Sequence, residues 1–426
     1  MVVLINLPVC VSFINCSLLG THSKLQDIRS GNEKVYTAQV LRSWYTLPGN
    51  VFLTSNQLIF THDHFAPAKT VLRESVHFLG FEKDSVKFME FEPEADMFNL
   101  RKNPILFISQ TALVKKLIIL PLHVFEDLLA EAYTEKNTKV VWCFHTIRCG
   151  STVWSQMFAA LPKWVAYSES QSMFYNVLRS RNTVDVSAFA KTEEYEKMVV
   201  ATVKMHILMA PKDHSIFWKT TGIDEHMVPI IRKHFPSHHI VFAWRDCLPC
   251  ATSYFKAFGH LPVLVNNVVH ANREIADKSR KLSDSGRVGW LWHTNGYDLD
   301  FCLRILKTHK PQPNAFEWFV MLWAAKVSMM AQYRRDGIKF KPLKYERLRK
   351  DTAGIITELF QYLDIPLDLV EIALKTMEFD SQAGTFFSHE ERVDHESWSR
   401  TPESDRRCNG ILRDFGLPDL DTAYEF

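Results

Sequence analysis

Cysteine is scarce in this sequence, with eight in 426 residues, and that excludes a disulfide scaffold in a chain this long. Cys10, Cys16, Cys143, Cys149, Cys247, Cys250, Cys302 and Cys408 make up the set. Several stand beside predicted strand ends, where a free thiol packs as a small apolar residue. A reducing, cytoplasmic setting is therefore expected. Net charge is also scarce: 50 Lys and Arg against 48 Asp and Glu leave +2. A large nucleic-acid footprint needs a basic excess, so no nucleic-acid partner is expected. Internal repeats and low-complexity tracts are missing too, which removes solenoids and disordered arrays from consideration.

Long hydrophobic runs are absent except at the start. Residues 1–20, MVVLINLPVCVSFINCSLLG, carry no charged side chain and are just long enough for a span. Asn6, Pro8, Ser12, Asn15 and Ser17 interrupt them, and the first basic residues, Lys24 and Arg29, come afterwards. A cytosol-facing N-terminus wants the reverse order, and a cleaved signal wants a basic start. The single N-x-S/T sequon, Asn15-Cys16-Ser17, lies inside the run itself. Membrane attachment is not favoured. The Golgi or ER lumen is the alternative setting if residues 1–20 act as a signal or anchor.

What remains is an ordinary globular composition, 46% apolar and 23% charged, long enough for about two or three domains. Residues 1–137 read as a mixed, mostly helical extension of unknown role. Within it, 110–133 has helical apolar spacing broken at Pro121, with Val124, Leu128 and Leu129 on one face as core. The polar stretch TEKNTK (134–139) marks the boundary. From 138 to 426 strand and helix alternate, which predicts an α/β fold. The expected architecture is a P-loop-type three-layer α/β/α with a central, mainly parallel sheet. Strands are predicted at 139–144, 164–169, 215–219, 239–244 and 338–345. Helices are predicted at about 152–161, after 169, before 208, at 224–235, through Phe258, at 314–337, and near 351–363 and 367–377. The last fifty residues look polar and irregular.

The stretch WCFHTIRCGSTVWSQM (142–157) joins the first buried strand to a helix. Such a turn leaves backbone N–H groups unpaired at the helix start, where the dipole also favours an anion. Gly150 permits close approach, Ser151 and Thr152 offer cap and hydroxyl donors, and Arg148 brings a planar cationic fork. Yet His145 stands where a nucleotide loop has its leading glycine, and no lysine follows Gly150. A standard NTPase needs that lysine on its β/γ-phosphates. A second candidate anion loop follows the strand at 239–244, with Arg245 at its carboxyl end and Ser253 eight residues on. Ligands of open α/β sheets bind at such ends.

Together these residues resemble the P-loop sulfotransferases, which use 3′-phosphoadenosine 5′-phosphosulfate (PAPS), and their carbohydrate- and protein-acting branches more than the cytosolic small-molecule branch. IRCGST aligns Arg148, Cys149, Gly150, Ser151 and Thr152 with the loop that cradles the 5′-phosphosulfate. Arg245 and Ser253 match the pair that holds the 3′-phosphate. FWKTTG (217–222) resembles the lysine-bearing strand and places Lys219, and 342–366 resembles the family's YE-x-L strand-to-helix stretch. Ile147 replaces the family's proline and Cys149 its hydroxyl residue.

The resemblance implies PAPS as co-substrate, no required metal, and a hydroxyl-bearing acceptor, glycan-like or protein-bound. It implies Lys219 neutralising phosphosulfate charge and Glu169 as the base; Arg148 is expected on the bridging and leaving-group oxygens, and His145, at the loop entrance, is the reserve base. Trp154 is expected in the core. Cys247-x-x-Cys250 opens a predicted helix, where a thiol pKa falls. A redox role there competes with the 3′-phosphate role of the same loop. A P-loop kinase and an inactive nucleotide-binding scaffold are the rival functions.

Overall fold

The computed structural model describes residues 35–41, 59–82, 84–134, 138–170, 172, 192–222, 224–258, 308–309, 313–383, 388 and 398–426. They divide into two compact units, the first within Met1–Ala95, Phe107–Glu135 and Thr202–Met209, the second within Asp96–Leu106, Lys136–Ala201 and Ala210–Phe426. The candidate anchor at 1–20, Cys302 and the helix expected after 169 (apart from residues 170 and 172) lie outside the described residues. Among the described residues no helix is long and apolar enough to cross a membrane.

The first unit departs from the mostly helical reading. It holds a five-stranded antiparallel sheet in the order β2-β1-β5-β4-β3, made of β1 (Val35–Leu41), β2 (Ile59–Ala66), β3 (Val76–Glu82), β4 (Ser85–Glu90) and β5 (Lys116–Pro121). The helical stretch expected over 110–133 is instead the end of α1 (Leu106–Leu113), then β5, then α2 (Leu122–Ala132). KLIILP is a short apolar run, and periodicity alone cannot separate a buried strand of that length from a helix. Its pairing with both β1 and β4 decides the outcome. On α2, Phe125, Leu128 and Leu129 are buried, and Phe125 meets Phe78 and Phe81 of β3 with ring centroids 6.0 and 5.6 Å apart.

In the second unit, β6 (Val140–His145), β7 (Trp164–Ser168), β8 (Ser215–Lys219), β9 (His239–Trp244) and β10 (Lys341–Lys344) form a five-stranded, wholly parallel sheet in the order β10-β9-β6-β8-β7. All six residues of β6 are buried, which requires cover on both faces, as a parallel sheet flanked by helices provides. Side chains alternate across the sheet. Phe217 stacks on Phe158 of α3 (Ser151–Ala160) at 4.1 Å, whereas Trp218 on the other face stacks on Trp142 at 4.3 Å. This is the expected three-layer α/β/α architecture.

The remaining helices follow the sequence closely. They are α4 (Glu193–Met209), α5 (Val228–His234), α6 (Cys247–Phe258), α7 (Ala315–Arg335), α8 (Tyr345–Lys350), α9 (Thr352–Tyr362) and α10 (Val370–Lys375). Asn314 and Glu317 close a capping box at the start of α7. The C-terminal stretch is not irregular throughout: α11 (Pro402–Asp414) begins at a Thr401–Ser404 capping box and buries Cys408, Ile411 and Leu412. That helix is strongly polar, so only its buried stripe marks it.

The chain leaves β6 and returns through β8 on one side and β9 on the other. Connections that leave for opposite sides of a parallel sheet open a crevice at the carboxyl ends of its strands. The β6, β8 and β9 ends carry His145, Lys219 and Trp244.

Candidate active site

The loop from β6 to α3 has a left-handed backbone at Ile147 (φ 63°), Arg148 (φ 52°) and Gly150 (φ 79°). A left-handed residue beside one of negative φ, as Arg148 and Gly150 stand on either side of Cys149, turns successive N–H groups toward one concavity, the geometry of an anion nest. For Ile147 the conformation is strained, since a β-branched residue rarely adopts it. Gly150 is required twice over: its φ is positive, and a Cβ there would lie 2.9 Å from Cδ2 of Tyr345. Ser151 and Thr152 follow, both buried, at the start of α3.

Lys219, at the end of β8, is 2% exposed and reaches across to this helix start. Its Nζ donates to Thr152 Oγ1 at 3.1 Å and forms an ion pair with Glu169, which is 15% exposed. Glu169 itself stands just past β7 with φ 56° and donates its backbone N–H to Lys219 O at 3.0 Å. Three elements therefore bring Thr152, Lys219 and Glu169 together. An ammonium has three donors; two serve Thr152 and Glu169, which leaves one for an anion oxygen.

On the other side of β6, Arg148 donates through Nε to Ser253 Oγ on α6 at 3.3 Å and through Nη1 to Gln382 Oε1 at 3.4 Å. The sequence assigns Ser253 to the same anion as Arg245, yet it is Arg148 that bonds it. Arg245 lies with its guanidinium carbon 4.6 Å from the centroid of the Tyr345 ring, and its Nε is buried without a hydrogen bond, 3.8 Å from Glu346 Oε1. A second orphan, Glu346 Oε2, accompanies it, and burial raises the Glu346 pKa. Tyr345 thus touches both loops, meeting Gly150 with its ring edge and Arg245 with its face. Gln382 and Tyr345 carry no motif of their own, so sequence patterns pass over Gln382 and hint at Tyr345 only through YE-x-L.

Several residues take structural roles. Cys149 is fully buried and donates its thiol to Ala243 O at 3.2 Å, so only its backbone is placed to serve the cradle. Trp154 is 1% exposed, in the core as expected. The thiols of the C-x-x-C pair do not become acidic. Burial raises both, Cys250 up to about 12, and Cys250 donates to Ile147 O at 3.2 Å. Desolvation here outweighs the helix start. His145 is 2% exposed, and its two ring nitrogens are both engaged, by Thr220 O at 2.9 Å and by the Ile147 N–H at 3.1 Å. Burial, with Lys219 and Lys326 nearby, holds its pKa well below the usual imidazole value. A base has to reach the acceptor, and this ring does not.

A cluster that the sequence reading missed lies beneath the loop after β8. Asp224 Oδ2 accepts from the Thr221 N–H at 2.9 Å and from its hydroxyl at 2.7 Å, while Oδ1 is buried without a partner. Burial pushes its pKa up from 3.8 to about 6. A carboxyl with a raised folded-state pKa binds more protons folded than unfolded, so its contribution to stability is lost as pH rises through 6. The shift of about two units corresponds to roughly 3 kcal/mol. Asp224→Asn, which keeps an acceptor for Thr221, is expected to be the more stable protein at pH 8 and equal to wild type near pH 4. Urea denaturation across that range measures the difference.

Comparison with known proteins adds little. No protein-family profile and no curated protein matches the chain. Similar solved structures include a sulfotransferase domain from the curacin biosynthetic pathway, with 9% identity, covering 66% of this chain and 99% of that one at a TM-score of 0.34. Sulfotransferase STF9 from Mycobacterium avium shares 12% identity over 78% of this chain and 88% of its own, TM-score 0.35. One from Alicyclobacillus acidocaldarius shares 10% over 66% and 93%, TM-score 0.32. Superposition that loose decides neither the fold nor the reaction. The sheet order decides the first, and the residues at the strand ends bear on the second.

Proposed function

We propose that this chain is a sulfotransferase that moves a sulfuryl group from PAPS to a hydroxyl acceptor, glycan-like or protein-bound. The observation that carries the reading is the convergence of Arg148, Ser253, Thr152, Lys219 and Glu169 at the carboxyl ends of adjacent parallel strands. The residues present fit the co-substrate. A nest of N–H groups with Ser151, Thr152 and Lys219 suits a phosphosulfate, and Arg245 Nε is a buried donor without a hydrogen bond, with Glu346 Oε1 3.8 Å away. When bound, PAPS supplies the activated sulfuryl group. The chain's own part is positioning and electrostatics, as in phosphoryl transfer. Lys219 and Arg148 set positive charge on both sides of the helix start. Glu169 takes the acceptor's hydroxyl proton, and Lys219 orients its carboxylate.

A catalytically weak nucleotide-binding protein is the second reading, favoured by the inward Cys149 thiol and by Glu346 beside Arg245. Thermal shift with 3′,5′-ADP and with Mg-ATP separates these from a P-loop kinase. Stabilisation by the bisphosphate is expected, and Arg148→Ala is expected to lower its affinity about tenfold or more through lost charge-assisted bonds. A response to Mg-ATP alone would sink the sulfotransferase reading. Incorporation from labelled PAPS into a panel of hydroxyl acceptors then separates an active enzyme from a weak one.

A further inference from the structure

The residue that breaks the nucleotide-loop pattern, His145, is the one most tightly built into the loop. Its ring is buried at the end of β6, bonded on one side to Thr220 O at 2.9 Å and on the other to the Ile147 N–H at 3.1 Å. An amide nitrogen can only donate, so Nδ1 accepts from Ile147; a carbonyl can only accept, so Nε2 carries the proton toward Thr220. The neutral tautomer is thereby fixed by two partners from different elements.

Gly222 closes the other side. A Cβ at Gly222 would lie 2.6 Å from Ile147 Cγ1 and 2.9 Å from His145 Cε1, so the β8 loop is packed hard against both. Lys326 of α7 holds that turn through a hydrogen bond to Gly222 O, and Lys326 is paired with Glu225 at 3.2 Å. Ile147 is thus clamped in its left-handed conformation by a hydrogen bond to its N–H and by Gly222 against its side chain. Left-handed isoleucine is strained and persists only where its surroundings over-determine it.

We propose that His145 is a positioning residue for the anion loop: its Nδ1 captures the Ile147 N–H and so holds the Ile147–Arg148 pair in the conformation that presents Arg148 and the α3 start to an anion. This rests on the functional reading above for the identity of the anion, and on the loop geometry alone for the latch. The side chain that replaces a leading glycine does with a hydrogen bond what glycine's freedom does elsewhere. Ile147, in the place of the family's proline, supplies the apolar wedge against Gly222. His145, which departs from the nucleotide-loop pattern, and Ile147, which departs from the family's, are then halves of one device.

The two faces of the ring can be removed separately. In His145→Asn the side-chain oxygen sits where Nδ1 was and still accepts from Ile147, while the bond to Thr220 is lost. In His145→Gln the amide reaches Thr220 and the Ile147 acceptor is lost. Three readouts on the full chain decide: amide hydrogen exchange at Ile147, affinity for inorganic pyrophosphate and for 3′,5′-ADP, and thermal melting. Loss of one buried hydrogen bond to the loop is expected to speed Ile147 exchange and weaken both ligands about tenfold in His145→Gln. His145→Asn is expected to stay within about threefold of wild type in both, whatever its melting temperature. Equal losses in the two variants, or an unchanged His145→Gln, would overturn the latch. If wild type binds neither anion, the functional reading falls, and the exchange ranking alone judges the latch. Should a variant not fold, nitrogen-15 spectra of the wild-type histidine decide. An Nε2-protonated neutral ring with an accepting Nδ1 is expected throughout about pH 5–8, and the other tautomer or an imidazolium overturns the proposal.

Discussion

Glu169→Ala is expected to abolish transfer and to weaken the fold at the same time. Its carboxylate is the partner of Lys219, a cation 2% exposed whose other side-chain hydrogen bond among the described residues goes to Thr152 Oγ1 at 3.1 Å. Removing one member of a buried pair strands the other, which typically costs about 3–5 kcal/mol. Glu169 retains 15% exposure, so water can enter the gap and the lower end, about 3 kcal/mol, is expected. Loss of a positioned base lowers a proton-transfer step about 10²–10⁴-fold. Glu169→Gln separates the two effects. An amide oxygen still accepts from Lys219 and recovers much of the stability, but it cannot take a proton, so turnover stays low. Urea melts and transfer from labelled PAPS read the two quantities independently. Turnover near wild type in Glu169→Gln would remove Glu169 from the base's role and leave it an electrostatic partner of Lys219.

How much of this was legible beforehand follows from the range of the interactions. The β6 strand, its Gly-Ser-Thr turn and the start of α3 are read within about a dozen residues, because a continuous apolar run and a helix start are local signals. The same holds for α7 with its Asn314 cap. β5 was not legible, since its strand state depends on β1 and β4 rather than on its own spacing. α11 was hidden because polar residues dominate it. Within the site, residue types at the strand ends were readable, but partnerships were not. Lys219 and Glu169 are 50 residues apart, Arg148 and Gln382 are 234 apart, and Lys326 and Gly222 are 104 apart. No sequence period spans such distances. For His145 the residue type suggested a base, and only the identity of its two partners shows a ring with no lone pair left for an acceptor.

Lys326 carries the largest expected effect on folding. It is 1% exposed on α7, and so is its partner Glu225, with both carboxylate oxygens 3.2 Å from Nζ. Lys326→Ala leaves that carboxylate buried beside Asp224, whose Oδ1 already lacks a partner, and it frees the Gly222 carbonyl as well. A stranded buried charge costs about 3–5 kcal/mol, and an orphaned carbonyl adds about 1–3 kcal/mol. A sum of that size approaches the whole stability of a typical domain, so Lys326→Ala is expected to be largely unfolded at 25 °C by circular dichroism. The double variant Lys326→Met with Glu225→Gln removes both charges at similar volume. Replacing a buried pair in this way is often neutral, so the double variant is expected to fold, short only of the Gly222 bond. Its anion affinity is then the informative quantity. With Gly222 no longer tethered, the wedge against Ile147 loosens, and weaker binding of 3′,5′-ADP in a folded protein is expected. Full affinity in the double variant would show that His145 holds the loop without help from α7.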